Sequence, residues 1–263
     1  LWSQSLQGKD AVQVSNLPLD VGSYKLSPDG RKIAFSLEVF ADCADLACTQ
    51  KRLDETAARK ASGMLFDKLF VRHWDTYVDG RRSQLFVARL EQGKLAAPER
   101  IARVDGDIPS KPFGDASEYT WSPDGGALVY SVRIAGKTEA WSTNFDLYRV
   151  RFSGKGVSSA ENLTASNPAW DTSPVFSPDG KTLYYRAMKR PGFEADRFAI
   201  MAMDLKSGKK REVPSKLDRS AESLAVSADG KTLITTFLDN GQQPLFAVDV
   251  ATGKVQTLAQ GGS

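Results

Sequence analysis

The sequence predicts an all-β fold of about four β-propeller blades, each of four antiparallel strands, with one helical insertion in the first blade. Three observations predict it. A turn tetrapeptide recurs along the chain: Ser27-Pro28-Asp29-Gly30, Ser122-Pro123-Asp124-Gly125, Ser177-Pro178-Asp179-Gly180 and Ser227-Ala228-Asp229-Gly230. Each copy is followed by an apolar stretch of period two. Each unit then reaches a Gly-Lys pair: Gly93-Lys94, Gly154-Lys155, Gly208-Lys209 and Gly253-Lys254.

The tetrapeptide has the chemistry of a hairpin corner. Ser suits the first position of a type I turn and Pro presets φ at the second. Asp bonds its own backbone at the third, and Gly accepts a positive φ. The stretches after it are Ile33-Phe35-Leu37, Leu128-Tyr130-Val132, Leu183-Tyr185-Ala187 and Leu233-Thr235-Phe237. Alternation of this kind marks a half-buried strand. Next strands are expected over Leu85 to Leu90, Asp146 to Arg151, Ala199 to Leu205 and Leu245 to Val250, and a short fourth strand is clearest in Lys254 to Leu258. Repeats of about fifty residues built from four strands fit propeller blades. A β-sandwich also has many short strands, but it does not normally repeat one turn sequence at one place in each unit. The expected units are 20–103, 115–163, 169–213 and 219–259, in a single propeller portion.

Spacing exposes an insertion. Gly30 to Gly93 spans 63 residues, whereas Gly125 to Gly154 spans 29, Gly180 to Gly208 spans 28 and Gly230 to Gly253 spans 23. The first unit therefore carries extra chain between Glu38 and Arg82, placed at about 41–68. Leu46 to Gly63 lacks Pro and is rich in helix formers, so a helix is expected there. Leu46, Leu53 and Ala57 share one face and would pack on the blade.

Composition narrows the function. The chain has 263 residues, 41% hydrophobic and 25% charged, which is ordinary for a globular protein. No stretch approaches the roughly 18 apolar residues that span a bilayer, so no membrane span is expected. Leu1 to Lys9 is mixed and polar and reads as a mature or trimmed N-terminus. The net charge of +3 is scattered. Arg81-Arg82 and Lys209-Lys210-Arg211 read as solvated turns and strand ends, so no nucleic-acid partner is expected. Two cysteines and one histidine cannot close a structural zinc site, so neither metal nor cofactor is expected. There is no Gly-x-Ser-x-Gly elbow, P-loop, dinucleotide fingerprint or His-Glu-x-x-His. No residue of this chain is assigned a catalytic role.

Three features remain. Cys43 and Cys48 can bridge if one lies in the turn before the helix, because a straight helix separates them by about 7.5 Å. They read as a disulfide and an oxidising compartment, with two unpaired thiols the alternative. The segment Phe70 to Tyr77 gathers Arg72, His73, Trp74 and Asp75. These four are the candidate substrate-binding residues. The alternative is a strand with His and Trp buried and Arg72 paired to Asp75. Asp54-Glu55 reads as a solvated helix face, and Trp121, Trp141 and Trp170 as core fillers.

A family resemblance follows from these residues. Asn162-Leu163-Thr164, Phe176 to Lys181, Ile200 to Asp204 and Gly208-Lys209 are similar to propeller repeats of the prolyl oligopeptidase family. Arg72 to Gly80, running into Ser83 to Val87, resembles its dipeptidyl aminopeptidase and acylaminoacyl peptidase branch. The Cys43 to Phe66 insertion looks like that of periplasmic bacterial members. The resemblance implies a propeller of seven or eight blades followed by an α/β-hydrolase domain with a Ser, Asp and His triad. The propeller would cover the active site and admit short peptides. This chain departs from the pattern. It lacks the hydrolase domain and roughly half of the blades, and no acidic pair matches the amine clamp of dipeptidyl peptidases. The expectation is thus a propeller part of a periplasmic or secreted exopeptidase, with a short peptide and the C-terminal hydrolase domain as partners. A TolB-like module working by protein contact is the alternative.

Overall fold

The computed structural model describes residues 1–66, 69, 71–154, 156–215 and 218–261. Phe70 and Lys155 of the motifs above, and Asp67 and Lys68 at the end of the expected insertion, lie outside the described residues. The chain forms two compact units, Leu1–Ala116 with Ile134–Ala140, and Ser117–Arg133 with Trp141–Ser263.

Unit one is built on one blade. Its strands run Val21–Leu26, Lys32–Phe40 and Arg81–Glu91, with Lys94–Leu95 and Glu99–Arg100 both pairing with the long third strand. The second and third strands pair without a break from Lys32↔Arg89 to Phe40↔Arg81. One face of this pair carries Ile33, Phe35, Leu37 and Val39, buried with Phe86 and Ala88. The Phe35 and Phe86 rings stack at 6.2 Å. Each fully buried side chain of this size contributes about 1.5–3 kcal/mol.

Unit two holds three further blades. The first has strands Tyr119–Trp121, Ala127–Arg133 and Phe145–Ser153, with Gly156–Val157 and Glu161–Asn162 on its outer side. The next runs Asp171–Phe176, Thr182–Ala187, Ala199–Asp204, Lys210–Glu212. The last runs Ala225–Val226, Thr232–Thr236, Leu245–Asp249, Val255–Ala259. Apolar faces of neighbouring sheets close on each other. Val129 and Leu147 pack with Leu183 and Tyr185, while Tyr184 and Ile200 pack with Leu233 and Val248.

The repeated tetrapeptide makes the same corner each time. Gly30, Gly125, Gly180 and Gly230 each donate their N–H to the Ser carbonyl three residues back, at 2.8–2.9 Å. The Ser hydroxyl donates to the Asp carboxylate, at 2.6 Å in Ser27–Asp29 and 2.7 Å in Ser177–Asp179. The same hydroxyl accepts the N–H that opens the next strand, from Lys32 at 2.9 Å and Thr182 at 2.9 Å. Every Gly of the set has φ between 63° and 72°, the left-handed region that lets the two strands meet. These bonds hold Asp29, Asp179 and Asp229 below the usual carboxylate range, chiefly through the Ser hydroxyl.

The insertion leaves the first blade between Phe40 and Arg81. Its helix, Leu46–Ala57, is capped by Asp45, whose carboxylate accepts the Cys48 N–H at 2.8 Å. Leu46 packs against the blade core, and Thr49 Oγ1 accepts the Phe40 N–H at 3.3 Å. The helix is shorter than the Leu46 to Gly63 stretch suggested, and Ala57 is exposed. Residues 58–63 are all exposed and bring no large apolar side chain to the blade. Without tertiary packing a run of good helix formers does not persist. Cys43 and Cys48 are joined, with Cα atoms 5.6 Å apart, Cys43 lying in the turn before the helix.

Two of the three tryptophans expected as core fillers pack as such. Trp121 is buried against Phe152, and Trp170 stacks on Phe145 at 4.4 Å. Trp141 does not. It is 62% exposed, because it sits in the connection between the second and third strands of its blade instead of on a strand. Among the described residues, no helix is long and apolar enough to cross a membrane.

Candidate functional site: a charged cleft beside an aromatic hairpin

Unit one contains a cleft of about 590 Å³, within the range of small-ligand sites. Five pieces of chain form it. The start of the first strand gives Val21 and Gly22, and the paired strands give Ser36, Glu38, Arg81 and Ser83. The insertion helix gives Gln50 and Leu53, and the last piece is the loop from Pro109 to Asp115. Gly22 leaves room for Ser36: a Cβ there would come within 2.9 Å of Ser36 Oγ and displace that hydroxyl. That hydroxyl accepts the Ser23 N–H at 2.9 Å and so fixes the strand against the cleft wall.

The charges are ordered by strand geometry. Successive residues point to opposite faces. Register places Arg81 on the face of Glu38 and Phe40, and Arg82 on the face of Leu37 and Val39. Glu38 bridges two cations in the cleft, Arg81 at 3.2 Å and Lys111 at 2.8 Å. Asp79 also grips Arg81, at 2.6 Å. Arg82 reaches Asp105 at 2.9 Å, Asp107 at 3.0 Å and Glu139 at 2.6 Å. Those partners, the Glu139 hydrogen bond first, raise its pKa further above the ordinary guanidinium value. Burial pushes the Asp107 carboxyl up, against the pull of Lys111 and Arg82. The reading of Arg81-Arg82 as a solvated strand end is corrected here. Arg82 has a side chain only 16% exposed, because three carboxylates meet it on the core-facing side.

The four candidates from the sequence sit together in a hairpin of the insertion, Arg72–His73 paired with Thr76–Tyr77. Trp74 and Asp75 form its turn. None of the four lines the cleft. The buried-strand alternative does not hold, since Trp74 is 69% exposed and Arg72 donates to the Trp74 carbonyl at 2.9 Å instead of pairing with Asp75. The hairpin touches the cleft loop through rings. Trp74 lies 5.3 Å and His73 6.4 Å from the Phe113 ring, and the His73 and Trp74 rings are 5.0 Å apart. Asp54 and Glu55 are exposed, Asp54 accepting from Gln50 at 2.8 Å and Glu55 lying 3.9 Å from Lys51.

Sequence reasoning missed Glu38, Lys111 and Phe113, and saw Arg81 only as part of a charge run. The available signal was Glu38, a charge near the end of a largely apolar strand that leads into the insertion. Lys111 and Phe113 carry no local signal, since the fold alone brings their loop to that strand.

The sheets of four or five antiparallel strands with Ser-x-Asp-Gly corners define the chain as a set of β-propeller blades, the first carrying an insertion. No family model matches the chain. It is 30% identical over 271 residues to dipeptidyl-peptidase 5 of Arthroderma otae, covering 95% of this chain and 34% of that protein. It is 29% identical over 205 residues to dipeptidyl-peptidase 5 of Porphyromonas gingivalis, covering 77% of this chain and 29% of that protein. Among solved structures, Pyrococcus horikoshii acylaminoacyl peptidase superposes with a TM-score of 0.65 at 15% identity, over 99% of this chain and 35% of that one. The chain belongs to the prolyl oligopeptidase family, as a propeller portion. It spans about a third of the length of the relatives it matches.

Proposed function

We propose that this chain is the substrate-gating part of a secreted or periplasmic serine exopeptidase of the dipeptidyl or acylaminoacyl type. Hydrolysis would fall to a Ser, Asp and His triad in an α/β-hydrolase domain outside this chain. The observation that carries the proposal is the cleft at the foot of the insertion, where Glu38, Arg81 and Lys111 present both signs of charge. A short peptide has a charged amine and polar amides, and such a cleft can exchange its own ion pairs for contacts with both. In this role the cleft positions the peptide and excludes longer chains, and the hydrolase domain supplies nucleophile, base and oxyanion donors. The Cys43–Cys48 bridge supports an oxidising compartment, and the kinship to dipeptidyl-peptidase 5 supports the substrate class.

The test is kinetic. In the full-length parent, Glu38→Gln is expected to raise KM for dipeptidyl chromogenic substrates several-fold while leaving kcat within about twofold, the pattern of lost ground-state binding. This chain alone is expected to be silent on those substrates. Robust turnover by it, or a parent that cleaves no peptide, would refute the proposal. The latter result would favour a module acting only by protein contact.

A further inference from the structure

We infer that Trp74 and Phe113 form an aromatic platform that seats a bulky apolar side chain of a short peptide lying in the cleft. The inference rests on the reading of the cleft as a peptide site. It adds a substrate class: peptides with a large apolar residue near the free amine.

Three observations carry it. First, both rings are largely in water, Trp74 at 69% and Phe113 at 73% exposure, yet they pack against each other at 5.3 Å with an interplanar angle of 53°. His73 braces the pair, 5.0 Å from Trp74 and 6.4 Å from Phe113. A packed group of exposed rings is a preformed apolar surface that loses little freedom when it takes a ligand.

Second, Trp74 stands at φ +50° in the hairpin turn. That left-handed position is cheap for Gly or Asn and unfavourable for other residues. Strain of this sort persists where function holds it. An indole at that place is set out on the tip of a turn against the local preference of the backbone.

Third, the platform is continuous with the cleft. Pro112 and Gly114, on either side of Phe113, both line it. The loop is locked: Gly114 N–H donates to the Ser110 carbonyl at 2.8 Å. A Cβ on Gly114 would collide with the Ser110 backbone. Phe113 is thus held in one place beside the opening. The cleft itself combines the charges of Glu38, Arg81 and Lys111, which suit the ends and amides of a peptide, with apolar side chains such as Val21, Leu53 and Pro112. The adjoining rings extend that apolar lining with exposed aromatic surface. Two rings and an imidazole match one side chain in size. A protein interface would need a patch of several hundred square ångströms.

Calorimetric titration of this chain with dileucine amide and diglycine amide tests the inference. Dileucine amide is expected to bind more tightly, on the order of tenfold, as for an apolar side chain gaining an aromatic contact. Trp74→Gly suits the left-handed turn and is expected to keep the fold, by circular dichroism, while erasing the difference. Phe113→Ala is expected to reduce it, and Trp141→Ala, at another exposed tryptophan, to leave it intact. Equal binding of the two peptides to the unaltered chain would overturn the platform. So would a preference that survives Trp74→Gly. Failure of the peptidase reading is scored separately, by the hydrolysis assay on the parent. Peptide preference here without hydrolysis there would leave the platform standing.

Discussion

Arg82 holds Glu139 in a two-pronged grip, Nη1 to Oε1 at 2.6 Å and Nη2 to Oε2 at 2.7 Å. The two residues are 57 positions apart. The pair fastens the Ile134–Ala140 segment to the first blade, within unit one. Planar, forked guanidinium matches carboxylate geometry in a way an ammonium cannot.

Removing one partner of this half-buried pair leaves charge without compensation. Arg82→Ala is expected to cost about 2–3 kcal/mol of stability, and Arg82→Lys to recover less than half of it. Urea denaturation of the chain at neutral pH is the check. A midpoint unchanged in Arg82→Ala would show that the grip contributes nothing.

Asp171 predicts a pH dependence of unusual sign. Burial pushes its carboxyl up to about 7 from the ordinary 3.8, while hydrogen bonds from Asn167 and Thr164 oppose the rise. Its Oδ2 is buried with no hydrogen-bond partner, and nearby Asp146 adds repulsion. The folded state therefore keeps a proton that the unfolded chain has lost between those two values. Stability is fully present below about pH 4 and falls as pH rises to about 7, at up to about 1.4 kcal/mol per unit. Asp171→Asn is expected to flatten that slope and to melt higher than the unaltered chain at pH 8. Thermal melts from pH 4 to 8 measure both effects, and a parallel slope in the variant would count against the assignment.

Two glycine corners separate the cost of backbone conformation from the cost of space. Gly30 has φ +68° with nothing within 4 Å of where a Cβ would stand, so Gly30→Ala is expected to cost only about 1 kcal/mol. Gly253 has φ +70°, and a Cβ there would run into the Pro214 carbonyl oxygen. Gly253→Ala must also push that backbone aside, so its loss is expected to be at least twice as large. Chemical denaturation of the two variants side by side decides the matter.

Reduction is expected to act locally. The Cys43–Cys48 bridge closes a short loop, worth about 2 kcal/mol in the chain-entropy view. Arg103 also braces this turn, donating to the Ala44 carbonyl at 3.0 Å. With a reducing agent, amide exchange should quicken over Leu46–Ala57 and stay unchanged in the strand Phe145–Ser153. Uniform quickening through both would mean that the bridge supports the whole fold.

Local chemistry made much of the fold legible in advance. Corners, paired strands and the place of the insertion follow from residues within a few positions of each other, and the structure puts them where the repeats point. Trp141 and residues 58–63 went astray because burial is a property of neighbours, and composition carries no neighbours. Of the candidate site, the sequence marked the hairpin of Arg72 to Asp75, with the His73 and Trp74 rings, but neither the cleft nor Phe113, the ring that joins the hairpin to it.

By itself, then, the sequence determined the blades, since turn preference and period-two burial act over one or two residues. It also placed the thiols close enough to join. Only the tertiary structure decided that Glu38 would meet Lys111 and that Trp74 would meet Phe113. Those partners lie far apart along the chain, and such meetings depend on where sheets and loops come to rest against one another.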